Sequence, residues 1–212
     1  QNVIVFTSLN PGSGKSHLAA NMAMSLAIKK KKVLLIDGDL RHGSTSMLIG
    51  SPGEGLSDYL NGRIADIHDI LHKGEESGLV KYFDVIPIGT IPPNPTELLF
   101  TPLLEQMIKT MRQEYDYIFI DCPPIEVVAD TPIYEQFADR TIFVVRAGLM
   151  ERNMLPEIDA LYKEKKFKNM TMILNGTKAR GGRYGSHYGY GYGYGYGYGY
   201  NYNKEKSGGA KS

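Results

Sequence analysis

Val3-Ile4-Val5-Phe6-Thr7-Ser8-Leu9-Asn10-Pro11-Gly12-Ser13-Gly14-Lys15-Ser16, running on into Leu18-Ala19-Ala20-Asn21-Met22-Ala23, decides how this chain is read. An apolar strand leads to a glycine-rich turn, and the turn opens a helix at Gly-Lys-Ser. Glycines let backbone N–H groups converge on anionic oxygens, the helix N-terminus adds its positive end, and the lysine reaches the outer phosphates. The stretch therefore predicts a nucleoside triphosphate cradle walled by Pro11, Gly12, Ser13, Gly14, Lys15, Ser16 and His17. Lys15 is expected on the β/γ-phosphates and Ser16 on Mg²⁺, an ion that takes oxygen ligands beside the phosphates it bridges. The strict pattern has glycine where this chain has Leu9, but Pro11-Gly12-Ser13-Gly14 keeps the turn tight. His17 either adds a phosphate contact or fills space.

Outward from the cradle, apolar runs of strand length recur at Val3–Thr7, Val33–Asp37, Asp84–Pro87, Tyr117–Asp121, Thr141–Arg146 and Thr171–Asn175. Helical spacing is read at Lys15–Ile28, Ile64–Leu71, Pro95–Arg112, Ile133–Gln136 and Met154–Lys165. Continuous rather than alternating apolar strands, separated by helices, predict a mostly parallel sheet covered on both faces, a doubly wound α/β fold of the P-loop NTPase type. Lys29–Lys32 follows the first helix, where cations complement the helix dipole, a simpler reading than a nucleic-acid patch. Gly50–Gly55 and Gly89–Pro95 read as surface loops over the site.

The 212 residues give room for one domain and a tail: residues 1–178 are expected to form the nucleotide domain and 179–212 a flexible, disordered segment. With 24 basic and 23 acidic residues, the formal charge of +1 offers no global case for nucleic acid, and none is expected as a partner. The single cysteine, Cys122, cannot form an internal disulfide and reads as a buried, inert thiol in a reducing compartment. No apolar run reaches membrane-spanning length. Because the chain starts at Gln1 directly before a core strand, parts that target it are expected upstream.

Three carboxylates stand at predicted strand ends. Asp121 closes Tyr117-Ile118-Phe119-Ile120, where open α/β sheets bind ligands, and is expected to hold Mg²⁺ directly or through water. Leu34-Leu35-Ile36-Asp37-Gly38-Asp39-Leu40-Arg41 brings two more carboxylates and an arginine to another strand mouth. Phosphoryl transfer to a hydroxyl needs a carboxylate that accepts the proton and charges that position metal and phosphate. Asp37 and Asp39 can divide those tasks, and an Asx-type turn with a solvated ion pair is the simpler alternative. His68 and His72, four apart with Asp69 between, resemble half a metal site, but no third ligand follows, so a solvated helix face is expected.

At the far end, Tyr184 to Tyr202 is almost pure Gly-Tyr alternation. Every second residue is glycine, which resists ordering and packs nothing. Such a chain can thread successive tyrosines into a site, and its tether raises its effective concentration at a neighbouring subunit. Tyr184, Tyr188, Tyr190, Tyr192, Tyr194, Tyr196, Tyr198, Tyr200 and Tyr202 are thus the expected acceptors of phosphate, in trans within an oligomer.

These stretches resemble the cytoplasmic catalytic domain of the bacterial tyrosine kinases. Ser8–Ser16 is similar to the family's Walker A loop, Ile36–Arg41 to Walker A′, and Ile118–Pro124 to Walker B. Gly55-Leu56-Ser57-Asp58-Tyr59-Leu60 and Pro92-Pro93-Asn94-Pro95-Thr96-Glu97-Leu98-Leu99 also match, as does the tyrosine-rich end. The resemblance implies ATP and Mg²⁺ as cofactors, Asp39 and Asp121 with Ser16 on the metal, and Asp37 activating the tyrosine hydroxyl, although the roles of Asp37 and Asp39 could be exchanged. It implies Lys15 and Arg41 in catalysis and Asn175 at the adenine, where an Asn-Gly turn is an alternative. It further implies a homo-oligomeric ring, a transmembrane chain-length regulator either fused or separate, a tyrosine phosphatase, attachment to the bacterial inner membrane through other parts, and control of capsular or exopolysaccharide polymerisation or export. The rival is a partitioning or division-site ATPase acting as a nucleotide-gated dimer; those proteins carry a lysine near position 10, where this chain has Asn10.

Overall fold

The computed structural model describes residues 2–126 and 130–177. Six strands, β1 (Val3–Ser8), β2 (Val33–Asp37), β3 (Phe83–Ile86), β4 (Tyr117–Asp121), β5 (Arg140–Arg146) and β6 (Thr171–Asn175), form one sheet in the order β3-β2-β4-β1-β5-β6. Every neighbouring pair is parallel. The inner strands are apolar on both faces because helices cover both, whereas the edge strand β6 leaves Met172 and Leu174 exposed. From β1 the chain goes outward to β2 and β3; it returns to insert β4 beside β1, then crosses to β5 on the other side. Reversal of direction at β1 and β4 leaves a crevice at their carboxyl ends, the place where this fold class binds ligands.

Alternate residues serve opposite faces. Phe6, Val33, Leu35 and Phe119 pack against α1 (Lys15–Ile28), whose inward residues Ala19, Ala20, Ala23 and Ala27 are small enough to bring helix and sheet close. The sheet supplies the bulk there, with the Phe6 and Phe119 ring centroids 5.0 Å apart. On the other face Val3, Val5, Leu34, Ile36, Ile118 and Ile120 pack with Leu104, Met107, Ile108 and Met111 of α4 (Pro102–Glu114). A smaller cluster of Leu9, Phe143, Val145, Ile158 and Phe167 sits under α6 (Leu155–Lys163).

Several sequence expectations change. The helix read over 95–112 is two helices, α3 (Pro95–Leu99) and α4, because Pro102 lacks the N–H that would continue the first. The helix read over 64–71 shrinks to a single 3₁₀ turn, Ile67–Ile70, started by the Asp66 carboxylate accepting from the His68 amide at 2.9 Å. His68 and His72 consequently share no helix face: His72 pairs through its backbone with Val85, while the His68 ring meets Asp66 and Glu114. A short helix not anticipated, α2 (Leu56–Leu60), is built on Gly55-Leu56-Ser57-Asp58. Its amides at Leu56 and Ser57 donate to the carbonyls of Pro87 and Ile88, and Asp58 accepts from the amides of Gly55 and Thr90. The glycine-rich loops at 50–55 and 89–95 are thereby clamped together beyond β3. The last helix before β5 is α5 (Thr131–Glu135).

Candidate nucleotide and phosphoryl-transfer site

The turn between β1 and α1 relies on left-handed backbone at Gly12 (φ 74°) and Gly14 (φ 89°), a region that side-chain-bearing residues resist. A Cβ on Gly14 would also fall 2.4 Å from Asn175 Nδ2. The turn's carbonyls are tied back into the protein. Asn10 O accepts from the hydroxyls of Ser8 and Ser13, both at 2.8 Å, Gly12 O from Arg146 at 2.8 Å, and Ser13 O from Asn175 Nδ2 at 3.0 Å. The first helical bond runs from Leu18 N to Gly14 O at 3.0 Å, so the amides of Lys15, Ser16 and His17 have no partner in the helix and suit an anion. Leu9, where the motif usually has glycine, is buried in the core beside Phe143. Asn10 donates to Glu126 at 2.7 Å. Pro11 and His17 are exposed, Ser13 and Lys15 buried, and Ser16 half-buried.

Asp37 and Asp121 lie side by side, paired in register at the ends of β2 and β4, and both are fully buried. Asp37 Oδ2 accepts from the amide and the hydroxyl of Ser46, each at 2.7 Å, and Asp121 Oδ2 accepts from Thr45 Oγ1 at 2.7 Å. The second oxygen of each has no hydrogen-bond partner. Burial, and then the charge of Asp121, push the Asp37 carboxyl up to about 7. Burial also raises Asp121, against the opposing pull of the Lys15 charge. The orphaned oxygen of Asp121 beside a phosphate loop is a donor a hard divalent cation takes, and Mg²⁺ characteristically uses one or two carboxylates together with phosphate and water, while the orphaned oxygen of Asp37 stays open to a second group. Among the described residues no three His, Cys, Asp or Glu converge on one point.

Asp39, also buried, faces its own turn, accepting from Arg41 N at 3.3 Å and meeting His42 Nδ1 at 3.2 Å. Locally this is the Asx-type turn weighed above. Gly38 between the two aspartates is pinned, because a Cβ there would meet Asp121 O at 3.0 Å and the Tyr134 ring at 3.2 Å. Arg41 is engaged elsewhere in the protein: one guanidinium nitrogen pairs with the buried Asp130, and another donates to Thr96 Oγ1 at 2.9 Å, while that hydroxyl donates to Asp130 at 2.7 Å. The clasp joins the Asp37–Arg41 turn to α3 and to the start of α5. Thr45, Ser46, Thr96 and Asp130 are site partners that sequence reasoning missed; Ser44-Thr45-Ser46, directly after Asp37-Gly38-Asp39-Leu40-Arg41-His42-Gly43, was the available signal for two of them. Cys122 is buried and its thiol is held well above its usual range by burial, as expected of an inert group. The nine tyrosines expected to accept phosphate, Tyr184 to Tyr202, lie outside the described residues.

A glycine-rich loop opening a helix at the crest of a parallel sheet, beside two strand-end carboxylates, defines a P-loop nucleotide-binding protein. Residues 1–148 match the family described as AAA domain. The chain is 35% identical over 187 residues to the tyrosine-protein kinase CpsD of Streptococcus agalactiae, covering 87% of this chain and 80% of that one. It is 35% identical over 181 residues to the putative tyrosine-protein kinase AmsA of Erwinia amylovora, where the match covers 85% of this chain and only 23% of the relative's length. The solved kinase domain of Escherichia coli tyrosine kinase ETK superposes with a TM-score of 0.75 at 32% identity, covering 90% of this chain and 72% of that one. The chain belongs to the bacterial tyrosine-protein kinase family.

Proposed function

We propose that this chain is an ATP:protein-tyrosine phosphotransferase whose residues 1–178 form the catalytic domain and whose residues 179–212 form its principal substrate. The observation that carries the reading is the pair of buried, register-matched carboxylates, Asp37 and Asp121, each with one free oxygen, with the Lys15 charge acting on Asp121. In the proposed mechanism the Gly12–Ser16 amides and Lys15 hold the triphosphate, and Ser16, Asp39 and Asp121 hold the metal. Bound Mg²⁺ would neutralise charge on the β- and γ-phosphates. Asp37, fixed through Oδ2 by Ser46, offers Oδ1 to the phenolic proton of an incoming tyrosine; a carboxyl titrating near neutrality is matched to that task. Arg41 acts through the Asp130–Thr96 clasp to keep the Asp37–Asp39 turn in place, a positioning role in catalysis. Asn175, at the lip of the loop, is the residue proposed to meet the base. His17 is left as a neighbour of the α-phosphate.

The tail is proposed to react in trans within a homo-oligomer, a ring in the fullest form of the reading. Each phosphate adds nearly two negative charges, so a modified tail repels its neighbours, and a tyrosine phosphatase would favour reassembly. The same reading takes in a transmembrane regulator, attachment to the inner membrane, and control of capsular or exopolysaccharide polymerisation; its support is the family, several of whose members cover far more sequence than this chain. Among the described residues no helix is long and apolar enough to cross a membrane. The test is incubation with Mg-ATP and detection of phosphotyrosine beside Lys15→Met and Asp37→Asn. Signal from the wild type alone supports the reading, and equal signal from Lys15→Met defeats it.

A further inference from the structure

Because all six strands are parallel, their N-termini share the edge of the sheet opposite the nucleotide cradle. The segments entering that edge are Lys29–Lys32 before β2, Lys81 before β3, Arg140 at the start of β5, and Lys165, Lys166 and Lys168 before β6. Hydrogen bonds fix them there: Lys32 O accepts from the amides of Asp116 and Tyr117 at 2.9 and 3.1 Å, and Lys168 O from Thr141 N at 2.9 Å. Residues 2–177 contain 18 Lys and Arg against 22 Asp and Glu, so the body is acidic, yet these nine cations are half of its total. All nine are exposed. Their acidic neighbours are partly spent: Glu75 holds Lys81 at 3.1 Å, Glu164 holds Lys166 at 3.6 Å, Asp139 is paired with Arg112, and Glu114 with His68. Lys29, Lys30, Lys31 and Lys165 have no ion-pair partner among the described residues.

Each of the two main clusters has an exposed apolar residue beside it. Ile28, the last residue of α1, is 69% exposed next to Lys29–Lys32, and Tyr162, near the end of α6, is 62% exposed next to Lys163–Lys168. Four strand steps separate β2 from β6, so the clusters stand about 19 Å apart across a broad edge. We infer that this edge docks on anionic lipid headgroups. Eight of the nine cations are lysines, point charges lacking the planar fork that favours bidentate phosphate recognition in nucleic acid. Spread over a plane and joined by an isoleucine and a tyrosine, they match an interfacial membrane contact better than a groove. A bilayer at this edge leaves the cradle facing away from it, open to nucleotide. The inference does not rest on the kinase reading, since binding and phosphotransfer are measured separately.

The test is co-sedimentation of the full chain with vesicles of phosphatidylcholine alone or mixed with phosphatidylglycerol, at low and high salt, with a DNA duplex as competitor. The wild type is expected on the mixed vesicles only, with binding weakened by salt. A variant with Lys29, Lys30, Lys31, Lys165 and Lys166 all changed to Glu should lose roughly 100-fold or more in partitioning, given about fivefold for each basic residue near such a surface. Its thermal melt checks folding, and its phosphotransfer in solution should match the wild type. Ile28→Ser with Tyr162→Ser gives a second, milder loss. Undiminished vesicle binding by the five-lysine variant would place the contact elsewhere, for instance on the basic residues of 178–212, and overturn the inference. So would absence of binding by the wild type, or duplex DNA that displaces the vesicles at equal charge.

Discussion

The two edges of this sheet treat the same side chain in opposite ways. At the carboxyl edge Asp37 and Asp121 are buried next to each other with an oxygen apiece unsatisfied, and their carboxyls are driven upward. At the amino edge burial also works against the Asp139 carboxylate, but Arg112 at 2.6 Å and the amides of Val3 and Asn2 at 3.0 and 2.8 Å outweigh it and hold the carboxyl below its usual range. Asp139 is a fastening that secures the first residues of β1 to β5 and α4. Asp37 and Asp121 are an incomplete set whose satisfaction is left to a ligand. A site that binds cation and triphosphate is arranged at the expense of the empty fold, and the opposite edge contributes stability in return.

The largest expected consequence of disturbing the carboxyl edge is functional. Lys15→Met should lower phosphotyrosine formation by at least about 100-fold, as loss of a single preorganised charge at a transferring group commonly does. Isothermal titration with Mg-ATP should show weakened binding with the melting temperature little changed. At the amino edge the largest effect should be on stability instead: Arg112→Ala leaves Asp139 and the Phe137 carbonyl without their charged donor. A loss of about 2–3 kcal/mol in urea unfolding is expected, with nucleotide affinity retained in the folded fraction.

A change of pH separates the edges. Asp37 rises from 3.8 to about 7 on folding, so between those values the folded state binds more protons than the unfolded one. Its contribution is fully present below the unfolded value and is lost as pH rises toward 7. Asp139 has the opposite sign: its stabilisation is present above the unfolded carboxylate value and disappears as pH falls through its lowered folded value. Nucleotide-free protein should therefore lose stability between pH 4 and 7, on the order of 4 kcal/mol. Asp37→Asn should remove the Asp37 share of that slope, leaving what the raised Asp121 carboxyl contributes, and raise stability at pH 8 while eliminating phosphotransfer. Saturating Mg-ATP should flatten the wild-type slope, because it favours the ionised carboxylate. A melt series across pH with and without Mg-ATP reads all of this.

Smaller still should be the clasp. Arg41→Ala and Asp130→Asn are expected to lower kcat with little change in KM for ATP, and the double variant should show a coupling of about 1–2 kcal/mol in transition-state stabilisation. Arg41→Lys, which keeps the charge but loses the second donor to Thr96, should recover part of it. If Arg41 met phosphate directly, removal of Asp130 would leave the Arg41 effect unchanged.

What the sequence disclosed and what it withheld divide along contact range. The strands, α1 and the phosphate loop are written in consecutive residues, apolar runs followed by Gly and Pro, and they fall within a residue or so of the expectation. Asp37 and Asp121 were legible as strand ends, yet their adjacency required the β2–β4 pairing, 84 residues apart in sequence at Asp37 and Asp121. Thr96 and Asp130 reach Arg41 across 55 and 89 residues, and although Thr96 lies in the family-like stretch Pro92–Leu99, nothing local shows that either meets Arg41. Pro102 was a readable stop that helical periodicity obscured. The single turn at Ile67–Ile70 was hidden for the reverse reason: its apolar spacing looked helical, but Asp66 and the pairing of His72 with Val85 close it after one turn.

The most direct test mixes two proteins of residues 1–212: a Lys15→Met chain with its tail intact and a wild-type domain whose nine tail tyrosines are changed to phenylalanine. With Mg-ATP, phosphotyrosine is expected on the Lys15→Met chain in proportion to the active partner. Absence of phosphate on that chain, while wild type alone phosphorylates itself at a rate independent of concentration, would contradict transfer between copies. No phosphotyrosine in either experiment would contradict the kinase itself.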